Sequence, residues 1–542
     1  MSRAFQSEFG VGRNAEVYST VGVTDGNFDY NEKVMVETAQ VGSRSFSIGP
    51  IGGVVNQAGP FTFRIEPMGD SYLQLNRARL EARCRVVKPN GENISLWEDV
   101  VAPVNLLGAT MWETCTVLIN THDRVNGSAA TNVGYKAYLE TMLSYDSDSR
   151  TTQLHTQFFN LDSPGQFNNM KAGKAALKQA LYRAFENGEE EAERPTIPLR
   201  YRMGDHFHEL LQEAIDAAAA AGDDTLVDPS TIKQLSEDAK RAKRYQLYDT
   251  VIDPKLADLG GIAAQSGEDY NKGFCGRCTK VAGSHQFDMY SPVPHDFFKL
   301  SNHIAPGNTI EVRLTPHSAP FLLNSYLGDQ KYKLVIDDLK LHLHSIERAV
   351  APPVKELYLM NETQLHKQLV ASGSPSTSFR IHNGGIMPKT VVVAMVSVAA
   401  AEGSYEENPF QFFHFYAKNM HLMVNGQQVP QGGIETDFTK ENSICSRAYF
   451  HLFENTGASE TSRGNLISYA AYQAGCFIQA WDQTYDKCNG LHNHRGELGY
   501  IDLNIQFSLE LNEPIYVIYE LVFPKVIIND KMVNEVAVLH VA

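Results

Sequence analysis

No apolar run in this 542-residue chain is long enough to cross a bilayer as a helix. The longest, Val391 to Ala401, is interrupted by Ser397 and falls short of the roughly 20 residues a spanning helix needs. The amino terminus, MSRAFQSEFGVGRN, lacks the apolar centre of a signal peptide. The expectation is a chain that neither spans a membrane nor is exported, and that stays in the cytoplasm or nucleus. Cysteine is scarce, with seven residues, an odd number, scattered along the chain. That is no disulfide framework, so reduced thiols are expected. Excess positive charge is missing too. A net charge of -16 argues against a surface built to grip phosphate, which needs clustered Lys and Arg to displace counterions. Sequence-specific nucleic-acid binding is therefore not expected.

Signatures of catalysis are also absent. There is no Gly-x-Ser-x-Gly elbow, phosphate-binding Gly-x-x-x-x-Gly-Lys or His-Glu-x-x-His, and no catalytic residue, metal ligand or cofactor is assigned. Cys275-Gly-Arg-Cys278 has the spacing of half a zinc site or a redox pair, but a structural zinc needs four ligands and only His285 lies nearby. It reads as two thiols in a Gly-flanked loop. His206 and His208, His342 and His344, and His492 and His494 are spaced so that a strand would place each pair on one face, yet no carboxylate partners can be picked out. His342 and His344 alternate with leucines and read as a solvent or interface face, whereas His492 and His494 belong to a polar loop. Asn93, Asn126 and Asn361 head N-x-Ser/Thr triplets that carry no meaning without export.

What the chain does hold is strand periodicity. With 43% hydrophobic and 20% charged residues it reads as folded and soluble, and its length suits about two to four domains. Phe61, Phe63 and Ile65 alternate with polar residues, as do Ala78, Leu80, Ala82, Cys84 and Val86. Leu73 and Leu75 are out of phase with the latter, which suggests a bulge near Asn76. Tyr332, Leu334 and Ile336 share one face, and Asp337-Asp338 shifts the phase before Leu339, Leu341 and Leu343. Leu503, Ile505, Phe507, Leu509 and Leu511 alternate without a break. Asn425-Gly426 marks a type I′ hairpin. Ala349 to Lys355, with Pro352-Pro353, reads as a linker. From about 165 to 265 the period becomes helical. Ala176, Leu177, Ala180, Leu181, Ala184 and Phe185 form one stripe and Phe207, Leu210, Leu211, Ala214 and Ile215 another, with the acidic connector Glu189 to Glu193 between them.

Two stretches carry a resemblance. Tyr135 to Phe159 reads YKAYLETMLSYDSDSRTTQLHTQFF, and Gly403 to Pro430 reads GSYEENPFQFFHFYAKNMHLMVNGQQVP. The first, through Leu139, Leu143, Ser144, Tyr145, Gln153 and Leu154, resembles a signature in one half of the hexon-like, double jelly-roll major capsid proteins of Polinton-type and adintovirus-type DNA viruses. The second resembles a signature of the other half. Asn308 to Leu314 followed by Lys331 to His344 looks like the paired strands that close the family's first barrel. Gly464 to Tyr472, Phe477 to Asp482 and Gly499 to Val522 extend the likeness. The helical stretch and the tail after Ile528 lie outside it.

The resemblance implies an all-β fold of tandem jelly-roll barrels with a helical insertion in the first. The expected organisation is an amino-terminal arm over 1–50, a first jelly roll over 51–350 and a second over 351–542, the insertion braced on a barrel's outer end. It implies a structural protein rather than an enzyme, located in the virion capsid and assembling as a homotrimer into pseudo-hexagonal capsomers. Neighbouring capsomers, a penton protein and minor capsid proteins are the implied partners. On this view Phe410, Phe412, Phe413, Phe415 and Tyr416 form barrel core, the alternation of Phe413 and Phe415 around His414 favouring that, with a minority anchoring an interface. Two rivals remain. A carbohydrate- or receptor-binding β-sandwich predicts aromatic rings beside acidic and amide groups in a concave pocket, and a β-sandwich glycosidase predicts two carboxylates facing one cleft.

Overall fold

The computed structural model describes residues 40–170, 271–348 and 355–540, less the stretches 55–58, 67–68, 95–98, 121–122, 125–129, 326–330, 440–442, 462–463, 488–496 and 531–534 and positions 460 and 486. The stripes expected as a helical insertion, the acidic connector, the Pro352-Pro353 linker, Asn126, and the pairs His206/His208 and His492/His494 all lie outside the described residues.

The first half contains β1 (Gln40–Ile48), β2 (Phe61–Ile65), β3 (Arg79–Val87), β4 (Trp112–Ile119), β5 (Phe287–Pro292), β6 (Ile310–Pro316) and β7 (Lys333–Arg348). One antiparallel sheet runs β1-β7-β3-β5, with Ser71–Leu73 also paired to β7. The other runs β2-β6-β4, extended by the short strands Asp123–Arg124 and Ala130–Thr131. The second half contains β8 (Lys355–Val370), β9 (Ser376–Ile386), β10 (Thr390–Ser397), β11 (Ala417–Val424), β12 (Gln427–Glu435), β13 (Ile478–Asp482), β14 (Leu498–Phe507), β15 (Ile515–Asp530) and β16 (Glu535–His540). Its sheets run β8-β15-β10-β13, with β16 on β15, and β9-β14-β11-β12. Among the described residues no strand of one half pairs with a strand of the other. Two large antiparallel sheets in each half, joined in the first by a two-stranded sheet of Val101–Pro103 and Leu323–Ser325, make the tandem double jelly roll that the resemblance implied.

Periodicity explains most of the burial. Phe61, Phe63 and Ile65 are buried while Arg64 is exposed, and Ala78, Leu80, Ala82, Cys84 and Val86 all point into the core. The phase shift at Asp337-Asp338 is a register skip in β7. Ile336 pairs with Cys84 and Asp338 with Arg83, leaving Asp337 as the extra residue. At the Asn425-Gly426 hairpin both residues have positive φ, 49° and 83°, as a type I′ turn requires.

Three expectations need correcting. The phase change near Asn76 is not a bulge but a 3-10 turn, Leu75–Arg77, which rotates the chain by about a third of a turn per residue and buries Leu75. Asn308–Leu314 and Lys331–His344 do not pair: β6 lies between β2 and β4, and β7 between β1 and β3, in different sheets. Leu509 is 51% exposed, because β14 ends at Phe507 and the alternation stops with it. Residues 40–48, within the stretch expected as the arm, form the edge strand β1, with Phe46 and Ile48 packed against the core.

Ile505 and Leu509 are equivalent in the sequence pattern and opposite in burial, which gives a sharp test. Ile505→Ala should cost about 2–5 kcal/mol and Leu509→Ala less than about 0.5 kcal/mol. Urea unfolding midpoints of the two variants measure the difference, and equal losses would contradict the strand end at Phe507.

Candidate functional site: the joint between the barrels

Among the described residues the two halves share no sheet, and besides isolated backbone hydrogen bonds, such as Ser325 N–H to the Tyr405 carbonyl at 2.6 Å and Gly165 N–H to the Ala474 carbonyl at 2.8 Å, side chains hold them together. The centre of the joint is helix α1 (Val133–Ser144), buried along almost its whole length. Gly134 is required there. A Cβ at that position would lie 2.6 Å from the Thr110 carbonyl oxygen, so only glycine lets the helix approach so closely. Two rings of α1 then reach the second half. Tyr138 stacks on Phe410 with centroids 4.4 Å apart and meets Phe412 edge-on at 5.9 Å. Tyr135 lies 5.5 Å from Phe410 and 5.6 Å from Phe321. Lys367 of β8 places its ammonium 4.9 Å from the Tyr135 ring. The two stretches singled out in the sequence, more than two hundred residues apart, are therefore the two faces of one contact.

Phe410 and Phe412 are fully buried, and His414 nearly so, whereas Phe413, Phe415 and Tyr416 are half-buried. This reverses the phase expected from Phe413 and Phe415. The segment is not a regular strand: Phe415 and Tyr416 both have positive φ, 44° and 54°, so alternation could not report which rings face inward.

Charged groups close the joint on one side. Lys136 of α1 lies 2.6 Å from Asp296, and Lys299 bridges Asp296 at 3.3 Å and Glu140 at 2.6 Å. The second oxygen of Asp296 accepts the backbone N–H of Thr363 in β8 at 2.8 Å, so the ion pair reaches across the halves. Burial alone would raise the Asp296 carboxyl, but Lys136 and Lys299 outweigh it and hold it well below the usual carboxylate range. Glu520 of β15 is buried beside the same groups. Burial and the charge of Glu140 push its carboxyl up, against Lys136 and Lys299.

A second link was not foreseen. Helix α2 (Lys272–Val281) carries Arg277, which is fully buried. Its guanidinium donates to the carbonyls of Pro103 at 2.8 Å and Asn160 at 2.6 Å, and to Asp162 at 2.7 Å. The other oxygen of Asp162 accepts from Asn408 of the second half at 3.0 Å. A lone Arg among 47 basic residues has no sequence signature. The only hint was its place between the two cysteines.

Those cysteines belong to the helix, not to a Gly-flanked loop. Cys275 and Cys278 are buried free thiols, and burial pushes Cys275 up to about 12 and Cys278 well above its ordinary value. Among the described residues no group of three His, Cys, Asp or Glu is placed to hold a metal. His342 is half-buried, paired with Glu81 at 2.7 Å, and His344 bonds Ser45 at 3.0 Å, so both rings lie on the partly exposed face of β7. The chemistry expected by the binding-protein rival, aromatic rings beside acidic and amide groups, occurs in a cavity of about 480 Å³ between the halves, lined by Phe413, Phe415, Glu407 and Gln411 among others.

Two buried histidines should weaken the fold in acid. His295 Nδ1 accepts the Phe297 N–H at 3.2 Å, and His414 Nδ1 accepts the Tyr416 N–H at 2.9 Å, so neither ring can be protonated there without losing that bond. Burial, aided for His295 by Lys136, lowers His295 to about 3 and His414 to about 4. The unfolded chain thus binds protons that the folded one refuses. Their contribution is complete above about pH 6.5 and is lost as pH falls toward 4, by about 1.4 kcal/mol per pH unit for each ring.

Urea unfolding at pH 7.5 and 5.0 should show that loss, and a stability unchanged between the two would contradict the neutral rings. Asp162→Ala should cost about 3–5 kcal/mol, because it strands the Arg277 charge; a loss below 1 kcal/mol would remove Arg277 from the joint. Tyr138→Leu and Phe410→Leu in a double-mutant cycle should couple by about 0.5–1.5 kcal/mol.

No protein-family model matches the chain. An uncharacterized protein of Caenorhabditis elegans is 26% identical over 208 residues, which cover 35% of this chain, and the chain spans 47% of the length of that curated relative. A chain in the 3.5 Å cryo-EM structure of the Sputnik virophage is similar over 96% of this chain and 93% of its own, at TM-score 0.51 and 9% identity. The mavirus major capsid protein is similar over 96% of this chain and 95% of its own, at TM-score 0.44 and 10% identity. At this identity the likeness to the Sputnik chain is one of fold alone.

Proposed function

We propose that this chain is the major capsid protein of an icosahedral DNA-virus shell, of the Polinton and adintovirus type. The observation that carries the reading is the joint. Two similar barrels are welded by buried rings and buried charges into a fixed pair, and three such pairs related by a threefold axis supply six barrels for a sixfold position in a lattice. A closed ring of like subunits is the usual way for identical chains to satisfy one another's surfaces.

Unpaired apolar groups on the outside support the same reading. Leu359 and Leu369 stand on β8 at 57% and 54% exposure, and Ile444 and Phe450 are also exposed. On this reading a subunit interface covers them. The resemblance of both halves to capsid signatures and the fold shared with a virophage chain point the same way. On this reading 1–50 is an arm that contributes β1, 51–350 is the first barrel and 351–542 the second. The partners are two further copies, neighbouring capsomers, penton and minor capsid proteins. The location is the virion capsid, filled by assembly in the host cytoplasm or nucleus.

Light scattering on the purified full chain, over a hundredfold range of concentration, should give three chain masses. A monomer at every concentration would overturn the capsomer.

A further inference from the structure

Lys136 and Asp296 are each 4% exposed and Glu520 is 3% exposed. They come from three elements, α1, the 3-10 turn Asp296–Lys299 and β15. An ammonium and a carboxylate held 2.6 Å apart in such a place carry a desolvation cost that their attraction only partly returns. Turning the two into a neutral amide removes both charges. Burial that penalises the ion pair therefore favours its dehydration.

The surroundings are arranged for that step. Asp296 Oδ2 accepts the Thr363 N–H at 2.8 Å, which fixes the carboxylate plane and leaves Oδ1 facing Lys136. A backbone N–H in this position also receives the negative charge that develops on a carboxyl oxygen under attack. Lys299 donates to Oδ1 at 3.3 Å, on the side where a leaving oxygen gains protons. Glu520 is paired with Leu365, two residues along β8 from Thr363, and its charge lies within range of Lys136 and Asp296. Burial and the charge of Glu140 push its carboxyl up, so it stands there as a neutral acid, able to take a proton through one oxygen and give one through the other.

We infer that Lys136 and Asp296 condense after folding into a side-chain amide. A proton passes from the Lys136 ammonium to Asp296 Oδ1, the freed Nζ lone pair attacks Cγ, and the carbonyl π pair moves onto Oδ2 against the Thr363 N–H. Glu520 takes a proton from the nitrogen and returns its own to Oδ1. The Cγ–Oδ1 bond breaks, water leaves, and the pair on Oδ2 re-forms the carbonyl. In sum an ammonium and a carboxylate become one amide and one water, with no oxidant or activating group. Reactants held in contact away from solvent make such a step effectively unimolecular. The link closes residues 136–296 into a covalent ring, which restricts the unfolded chain, and Oδ2 keeps its bond to Thr363 of the second half. It concerns one chain alone and does not rest on the shell-building role.

Intact-mass spectrometry of the full chain, folded at neutral pH and then denatured, reads the link directly. The wild-type mass should fall short of the sequence mass by one water, and a tryptic digest should hold a branched peptide joining the segments of Lys136 and Asp296. Lys136→Arg keeps the positive charge but cannot form this amide, and should show the full mass. Glu520→Gln should form the link at least about tenfold more slowly, with an unchanged far-ultraviolet spectrum. The buried pair of Lys525 and Glu362, where Gln364 is the neighbour bonding the acid, should stay unlinked. Full mass in the wild-type chain would overturn the inference, as would a lost water confined to one linear peptide, as in a succinimide, or placed between Lys525 and Glu362. An undiminished rate in a folded Glu520→Gln chain would overturn the part given to Glu520.

Discussion

Burial of two tyrosine rings of one barrel against two phenylalanine rings of the other is the contact on which the rest depends. Among the described residues strand pairing stops at the boundary between the halves, so only isolated backbone hydrogen bonds, and no ladder of them, cross it. Tyr135, Tyr138, Phe410 and Phe412 supply the largest apolar part of the constraint on their relative position, each close to fully buried. Rings of this size carry a large apolar area and a directional preference, so they set an angle as well as a distance. Gly134 is the backbone concession that allows it.

Around that apolar centre the polar links add specificity. Lys136 and Asp296 on one side, with the exposed Lys299 bridging Asp296 from outside, and Arg277, Asp162 and Asn408 on the other, are mutually satisfied, and all but Lys299 are buried. Buried charges of this kind add little net stability over apolar packing, yet they heavily penalise any arrangement that separates them. A pair of barrels joined in this way has one favoured geometry. Interfaces with other copies can rely on that geometry, whereas a flexible tether would make each copy pay in entropy at every contact.

Much of the fold was legible in the sequence, because a half-buried strand writes its burial with a period of two. Phe61, Phe63 and Ile65 and the run from Ala78 to Val86 could be read directly, and so could the skip at Asp337 and the turn at Asn425-Gly426. Reading failed where the backbone left the strand region. The 3-10 turn at Leu75–Arg77 looked like a bulge, Leu509 looked like core, and Phe413 and Phe415 looked inward because a left-handed turn at Phe415 and Tyr416 leaves no periodic trace. Strand order was also invisible, since period says which face is buried and not which strand lies alongside. The joint itself was half legible: its aromatic stretches stood out, but Arg277, Asp162 and Asn408 are isolated polar residues that only the fold brings together.

Differential scanning calorimetry of the intact chain tests the welded joint most directly. If the rings and charges unite the barrels, both melt in one transition, with calorimetric and van't Hoff enthalpies in agreement. Two resolved transitions, each with the enthalpy of a single barrel, would mean that the barrels are merely tethered, and the account built on their fixed geometry would fail.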